Sequence, residues 1–564
     1  MKTASTLCAL SSVLALTLAA CGGGGSGGGP NPGAPGGTSG PSGATSSPNS
    51  SGAITAFGSV FVNGHEFATG SAQVMDDDTG ATDGKVSALE VGQVVDVQPA
   101  STSTDAAPVA QWLHVHPLAR GYVDAWDGGA NTLSVMGQTV SLDSATLFSD
   151  HRACLNAATN PCSVIADASG LALTAGSTPG SYVSVDGYLF NSGSSAANIV
   201  ATLVSVHDTP TGTNGAFFKV EGVVNTTSAT AGSVGITIGG LQVALGNATC
   251  RAAGKTTSCA SAFSVGDVVS AFAVASPTLP ATTFNATVAL KRDHLPVQTA
   301  GATVEFDGSV SSFTAASGTA AASFVVRGVD VDTSALAAGT SLPAVGDIVE
   351  VTGAVSSDGL SVAASAIRIL RAARSVSYAF AGDATDVAAG SVANTWTVTV
   401  LGEPIVVSSQ TRLADRSTRH WFNVDPQSNP FNITTFQTYL AASSSQHLFV
   451  ETAKDSSGTL QALSVTIMPA STVSQVSGPI DASPAPVAGS STAPTTFSVD
   501  GLPVSAAASA VSLAWRSGPT VAAGDEVLVG GSFAAGLLTV AATPRSSNFV
   551  IDIGVPSSHD VPGF

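Results

Sequence analysis

The sequence predicts an all-β protein: a tandem array of about six small OB-like barrels or small sandwiches behind a disordered N-terminal tether. Three observations carry that reading. Valine and threonine recur in alternation, and only 10% of the 564 residues are charged, a composition that favours strands over helices. Glycines punctuate the alternation where tight turns are needed. Two short phrases also return in the same order along the chain, the signature of internal repeats. A chain this long exceeds the roughly 250–300 residues that one core supports.

Residues 1–21 read as an export signal. Lys2 is the positive n-region, Leu7 to Leu18 is mostly Leu, Ala and Val, and Ala19-Ala20 precede Cys21. The apolar run is shorter than the roughly 18–20 residues that cross a bilayer. Leu18-Ala19-Ala20-Cys21 resembles the lipobox of a bacterial lipoprotein. That resemblance implies that Cys21 becomes the first mature residue and carries acyl chains, so that its partner is the membrane. One chain anchors only marginally, whereas two or three hold firmly. Gly22 stands where an aspartate would retain the protein at the inner membrane, so the same resemblance implies the outer membrane, on either its periplasmic or its surface face. Residues 22–51 are nearly all Gly, Pro, Ser, Asn, Thr and Ala and read as a disordered tether. Gly24-Gly25-Ser26-Gly27-Gly28 matches the nucleophile-elbow pattern but lacks the strand and helix that motif needs.

Six units follow, at 52–118, 119–208, 217–293, 301–372, 375–469 and 472–553. In each, an apolar residue, a glycine turn and a second apolar strand form one phrase. It reads Phe61-Val62-Asn63-Gly64 in the first unit, Val135-Met136-Gly137-Gln138 in the second and Ile238-Gly239-Gly240-Leu241 in the third. It returns as Val326-Arg327-Gly328-Val329, Val400-Leu401-Gly402-Glu403 and Val499-Asp500-Gly501-Leu502. A second phrase turns the chain into a valine strand, as in Val91-Gly92, Val265-Gly266-Asp267, Val345-Gly346-Asp347 and Ala523-Gly524-Asp525. With an opening and a closing strand, each unit has about five strands and should close its own core. In the fourth, Ile348 lies on one face of its strand and Val349 and Val351 alternate, so only one set fills that core. Units two, three and five carry insertions between the phrases.

Phe57-Gly58-Ser59-Val60-Phe61-Val62-Asn63-Gly64, followed by Val91-Gly92 and its valine strand, resembles domain-of-unknown-function family 5666, which occurs as tandem repeats in lipoproteins of Gram-negative bacteria. The first unit carries the phrases most fully, the fourth and sixth in good part and the fifth least. These motifs are turn and core residues and transfer no activity.

Cys154, Cys162, Cys250 and Cys259 remain once the signal and Cys21 are set aside. Their two close pairs read as local disulfides of an oxidising compartment, and they are too widely spaced for a zinc site. A net charge of −19 repels phosphate backbones, which excludes nucleic acid as a partner class. His114 and His116 share one face of a strand, which suits zinc or copper if a third ligand approaches; a polar stripe accounts for them equally. Asp76-Asp77-Asp78 with Asp83 offers carboxylates to calcium but lacks EF-hand spacing, and a solvated acidic hairpin explains it as well. Arg412, Arg416, Arg419, His420 and Trp421, with Phe422, form a dense Arg–aromatic group in the fifth unit. They are candidate ligand-binding residues for a saccharide or small molecule, or else a satellite core under a long loop. The residues 432–440 beyond them read as a short helix. No catalytic constellation can be assembled, so the sequence points to no enzyme, no cofactor and no metal. It points to a non-enzymatic scaffold or adhesin-like protein of the cell envelope, with envelope proteins or glycans as partners.

Overall fold

The computed structural model describes residues 49–554 apart from 58, 79–80, 101–107, 129–130, 143–145, 158–160, 166, 191–197, 211–217, 231–232, 253–254, 275–282, 293–294, 373–376, 391–394, 416–435, 439, 441–445, 456, 491–492, 508–509, 514–520 and 544–546. The fold is all-β, and it repeats one circuit. In the fourth barrel the opening strand Thr303–Thr314 pairs with the return strand Ile348–Val355 along its first half and with Ser323–Val326 along its second. Ser323–Val326 and Val329–Asp332 form a hairpin. Val329–Asp332 runs parallel to the closing strand Ser361–Arg371, which pairs antiparallel with the return strand. The circuit closes, giving the five-stranded Greek-key barrel of an OB-like fold.

The same circuit recurs from the opening strands Asn49–Phe57, Ala119–Asp127, Phe218–Thr230, Ser377–Ala389 and Ser474–Pro479. Their return strands are Val94–Pro99, Tyr182–Leu189, Val268–Ala273, His447–Lys454 and Glu526–Ala534. The closing strands of the first three are Ala110–Val115, Ile199–His207 and Val288–Lys291. Each glycine phrase is the hairpin turn, and both of its central residues have positive φ, as at Asn63 (52°) and Gly64 (76°) or Leu401 (54°) and Gly402 (84°). That backbone is the type I′ turn whose twist matches a hairpin.

The opening strand changes partners midway, and a bulge marks the place: the register breaks at Ile54/Ala56, Val123/Ala125, Val224/Thr226, Val310/Ser312 and Ala384/Asp386. The second phrase clasps this point. The N–H groups of Gly92, Gly266, Gly346 and Gly524 donate to the carbonyls of Ile54, Val224, Val310 and Ile480 at 2.8–2.9 Å. Asp267, Asp347 and Asp525 cap the same turn by accepting from the backbone N–H three residues earlier. Two residues before each switch stands a glycine that makes room for the hairpin. A Cβ on Gly121 would lie 2.1 Å from Met136 Cγ, and one on Gly308 would lie 2.7 Å from Arg327 Cγ.

The first half of an opening strand pairs within its own barrel on one side only, leaving a bare edge that would invite aggregation. Every barrel resolves this by pairing that edge with another barrel. Asn49–Ser51 runs parallel to 304–306, Ala119-Arg120 lies against Lys219-Val220, and 379–381 lies against 475–477. First joins fourth, second joins third, and fifth joins sixth.

Two expectations are corrected. The tether does not extend to residue 51: Asn49 already begins a strand, and Ser50 and Ser51 are fully buried. Their small polar side chains read as low complexity, but the residues serve as edge pairing for the fourth barrel. The first and fourth barrels keep clusters of their own, but the other units do not keep separate cores. Buried residues of the second and third barrels form one cluster, and so do those of the fifth and sixth. Ile348 leaves its own barrel to pack with Ala53, Val94 and Tyr188, while Val349 and Val351 fill the fourth core. Among the described residues, no helix is long and apolar enough to cross a membrane.

Candidate functional site: the seam between the first and third barrels

Alternation along the third opening strand sends Phe218 and Val220 into the barrel core, so Lys219 and Glu221 point out of it. The register sets Ser270 of the return strand opposite Glu221 and Phe272 opposite Lys219. Arg292 follows the closing strand. These outward polar groups are nonetheless buried, because the Asp76-Asp77-Asp78 loop of the first barrel covers them. Lys219 Nζ lies 2.7 Å from Asp78 Oδ1 and 2.9 Å from Glu221 Oε2. Arg292 Nη2 donates to Asp78 Oδ1 at 2.6 Å, and its Nε donates to Ser270 Oγ at 2.6 Å. Ser270 in turn donates to Glu221. Both cations lie over the Phe272 ring, at 5.6 and 5.8 Å. Burial pushes the Glu221 carboxyl up, but the charges of Lys219, His116 and Arg292 outweigh it and hold the pKa at about 2.

Strand pairing places Met75 and Asp96 opposite His114, so the histidines and the aspartate run, distant in sequence, meet. His114 Nδ1 lies 2.8 Å from Asp77 Oδ1 and His116 Nδ1 lies 3.9 Å from Asp77 Oδ2. The hydrogen bond to Asp77 raises His114 above the ordinary histidine value. Asp77 is pushed up by burial and brought below the usual carboxylate range by His114, His116 and Arg292. A cavity of about 260 Å³ opens beside them, lined by Asp77, Asp96, His114, His116, Lys291 and Arg292. The site is an acid–base network: no group of three or more His, Cys, Asp or Glu among the described residues is arranged to hold a metal ion.

Other seams of the first barrel are also polar. His151 Nε2 lies 2.7 Å from Glu90 Oε1, and Thr202 Oγ1 donates to the Gly92 carbonyl at 2.6 Å. Toward the fourth barrel, His65 Nε2 lies 3.2 Å from Glu305 Oε2, and Tyr188 of the second barrel donates to Asp307 Oδ2 at 2.6 Å.

The cysteines pair as Cys154–Cys162 and Cys250–Cys259, which marks a chain that folds in an oxidising, extracytoplasmic compartment. Of the fifth-barrel candidates, Arg412 lies on the strand Arg412–Asp415, half-buried, and its charge acts on Asp307 and Tyr188. Arg416, Arg419, His420, Trp421 and Phe422 lie outside the described residues, as does Cys21. Beyond them Phe436 is buried against Trp396, with ring centroids 5.8 Å apart.

Sequence reasoning missed Lys219, Glu221 and Arg292. The available signal was a Lys and a Glu two residues apart in a valine strand of a chain with only 19 basic residues.

No curated protein matches the chain. The family model described as Domain of unknown function (DUF5666) matches residues 120–204 and 307–368. These are the second and fourth barrels; the first, whose phrases are the fullest, lies outside the matched residues. Its circuit, its turns and these two matches make the chain a DUF5666-like repeat protein.

Proposed function

We propose that this is a lipid-anchored protein of the cell envelope, most simply of the outer membrane, whose barrel body serves as a non-enzymatic scaffold or adhesin-like interaction module. The observation that carries the reading is the pairing of every opening strand with that of another barrel. Such pairing spends backbone edges and buried charge on rigidity between barrels, which a spacer or display platform needs. The charged groups of the seams pair across them: Lys219 and Arg292 with Asp78, His151 with Glu90 and His65 with Glu305.

Two experiments test it. Palmitate labelling should mark the wild-type chain and move it into detergent, and Cys21→Ser should abolish both; an unlabelled wild type overturns the anchor. Glycan-array and envelope-pulldown measurements on the purified protein test the role. Capture of envelope proteins supports the scaffold, whereas a saccharide hit lost on Arg412→Ala or Trp421→Ala replaces it with a receptor centred on the fifth barrel.

A further inference from the structure

The seam between the first and third barrels holds three groups in an arrangement that a salt bridge alone does not require. An amine, a carboxyl group and a second carboxylate meet in a dry, aromatic-walled space: the side chains of Lys219 and Asp78 are fully buried and that of Glu221 is 2% exposed. Lys219 and Glu221 are fixed side by side on one strand. Gln138 pins the Glu221 backbone through Nε2 to its carbonyl at 2.8 Å and Oε1 from its N–H at 3.2 Å. Asp78 Oδ1 receives both Lys219 and Arg292. Asp78 Oδ2 is buried and accepts no hydrogen bond among the described residues.

We propose that Lys219 and Asp78 condense into an isopeptide bond, with Glu221 as the proton carrier, so that the first barrel is covalently welded to the third. The reaction needs no co-reactant. Lys219 starts as an ammonium and Asp78 as a carboxylate. One proton passes from Nζ through Glu221 to Oδ2, leaving an amine and a carboxylic acid. The Nζ lone pair then attacks Cγ, and the carbonyl electron pair moves onto Oδ1, which faces Arg292. Preorganised donors of this kind stabilise a developing oxyanion. Glu221 takes a second proton from Nζ and delivers it to Oδ2; the Cγ–Oδ2 bond breaks and water leaves. The third ammonium proton stays on the amide nitrogen, so atoms and charge balance.

Each structural oddity has a place in this chemistry. Holding the reactants in contact replaces an encounter, an advantage reaching effective molarities of about 10⁵–10⁸ M in well-oriented systems. The retained oxygen, Oδ1, is the one that is gripped, and the departing oxygen, Oδ2, is the one left without a donor. Its loss removes a buried unsatisfied acceptor, which is costly to keep. Glu221 Oε2 lies 2.9 Å from Nζ, the contact through which the protons pass. Burial also withholds the water that would reverse the bond.

The test is mass spectrometry of a reduced digest of the exported full-length protein. The expected result is a branched species joining the peptides that contain residues 78 and 219, lighter than their sum by one water. Separate linear peptides with nothing missing overturn the proposal. Lys219→Arg, which keeps the charge, should give only linear peptides. Glu221→Gln, checked for a native circular-dichroism spectrum, should fold yet stay uncrosslinked. A crosslink that persists in it removes Glu221 from the chemistry.

Discussion

The first barrel meets the third and the fourth barrels through seams of similar burial and opposite electrostatics. At the third, the acids Asp78 and Glu221 face Lys219 and Arg292, and Glu221 is held at about 2. At the fourth, Glu305, Asp307 and Glu350 cluster, while their cations stand toward the rim: Arg368 is 49% exposed and His65 is 52% exposed. Burial therefore wins there. It lifts Asp307 to about 6 against its hydrogen bond from Tyr188 and the charge of Arg327, and it lifts Glu350 to about 7 against Arg368. Desolvation is common to both seams; the depth of the cation decides the sign.

The largest expected effect comes from breaking the compensated seam. Lys219→Met strands the Asp78 and Glu221 carboxylates beside Arg292 alone and also prevents the crosslink; the stranded charges by themselves cost about 3–5 kcal/mol. Chemical denaturation at neutral pH measures it. A loss below about 1 kcal/mol, the scale of an exposed pair, would mean that the seam is wet.

The uncompensated seam should respond in the opposite direction. A carboxyl whose folded pKa lies above its unfolded value favours low pH, so the Asp307 penalty is absent below about 3.8, grows with pH, and is complete above about 6. Glu221 works the other way: its contribution is full above 4.5 and fades as pH falls toward about 2. Asp307→Asn should therefore stabilise by about 3 kcal/mol at pH 8 and by almost nothing at pH 4. Melting curves across that range check the slope. Equal effects at both ends would show that Asp307 titrates normally.

The contrast also explains what could be read from the chain. The type I′ turns at Asn63-Gly64 and Leu401-Gly402 were legible because a positive-φ pair is a local demand, met by adjacent residues. So were Cys154–Cys162 and Cys250–Cys259, eight and nine positions apart. Lys219 and Asp78 stand 141 positions apart, and Arg292 and Asp78 stand 214 apart. Nothing in either neighbourhood names its partner. Ser50 and Ser51 failed for a related reason, since edge pairing uses the backbone and leaves side-chain identity uninformative. The histidine pair and the aspartate run are legible in the chain only as separate features, and the register of strands Gln73–Asp76 and Ala110–Val115 joins them.

Ile348 tests whether the fourth seam belongs to one barrel or to the assembly. It packs between Ala53, Val94 and Tyr188, so truncation to Ala, about 2 kcal/mol at the low end of the buried aliphatic range, removes contacts to the first and second barrels. The main unfolding transition should shift as a whole. An early, separate transition covering only the fourth barrel would show that its barrel stands apart from the rest.

The smallest effect concerns the seam between the first and second barrels, where a neutral hydrogen bond stands beside the His151–Glu90 pair. Thr202, 1% exposed, donates from Oγ1 to the Gly92 carbonyl at 2.6 Å. Gly92 is the turn residue of the clasp, at φ 89°, and its own N–H already donates to Ile54. The approach is close enough that a Cβ there would lie 2.9 Å from the Thr202 carbonyl oxygen. The bond therefore ties the closing strand of the second barrel to the point where the first barrel's opening strand changes partners. Thr202→Val keeps the shape and deletes the donor, leaving a buried carbonyl short of one bond at a cost of about 1–2 kcal/mol. Thr202→Ser keeps the hydroxyl and loses only a methyl group, so it should restore most of that loss. If Ser is no better than Val, packing of the methyl group holds this seam and the hydrogen bond is incidental. If Ser recovers the stability, the clasp of the first barrel is the anchor point for the second.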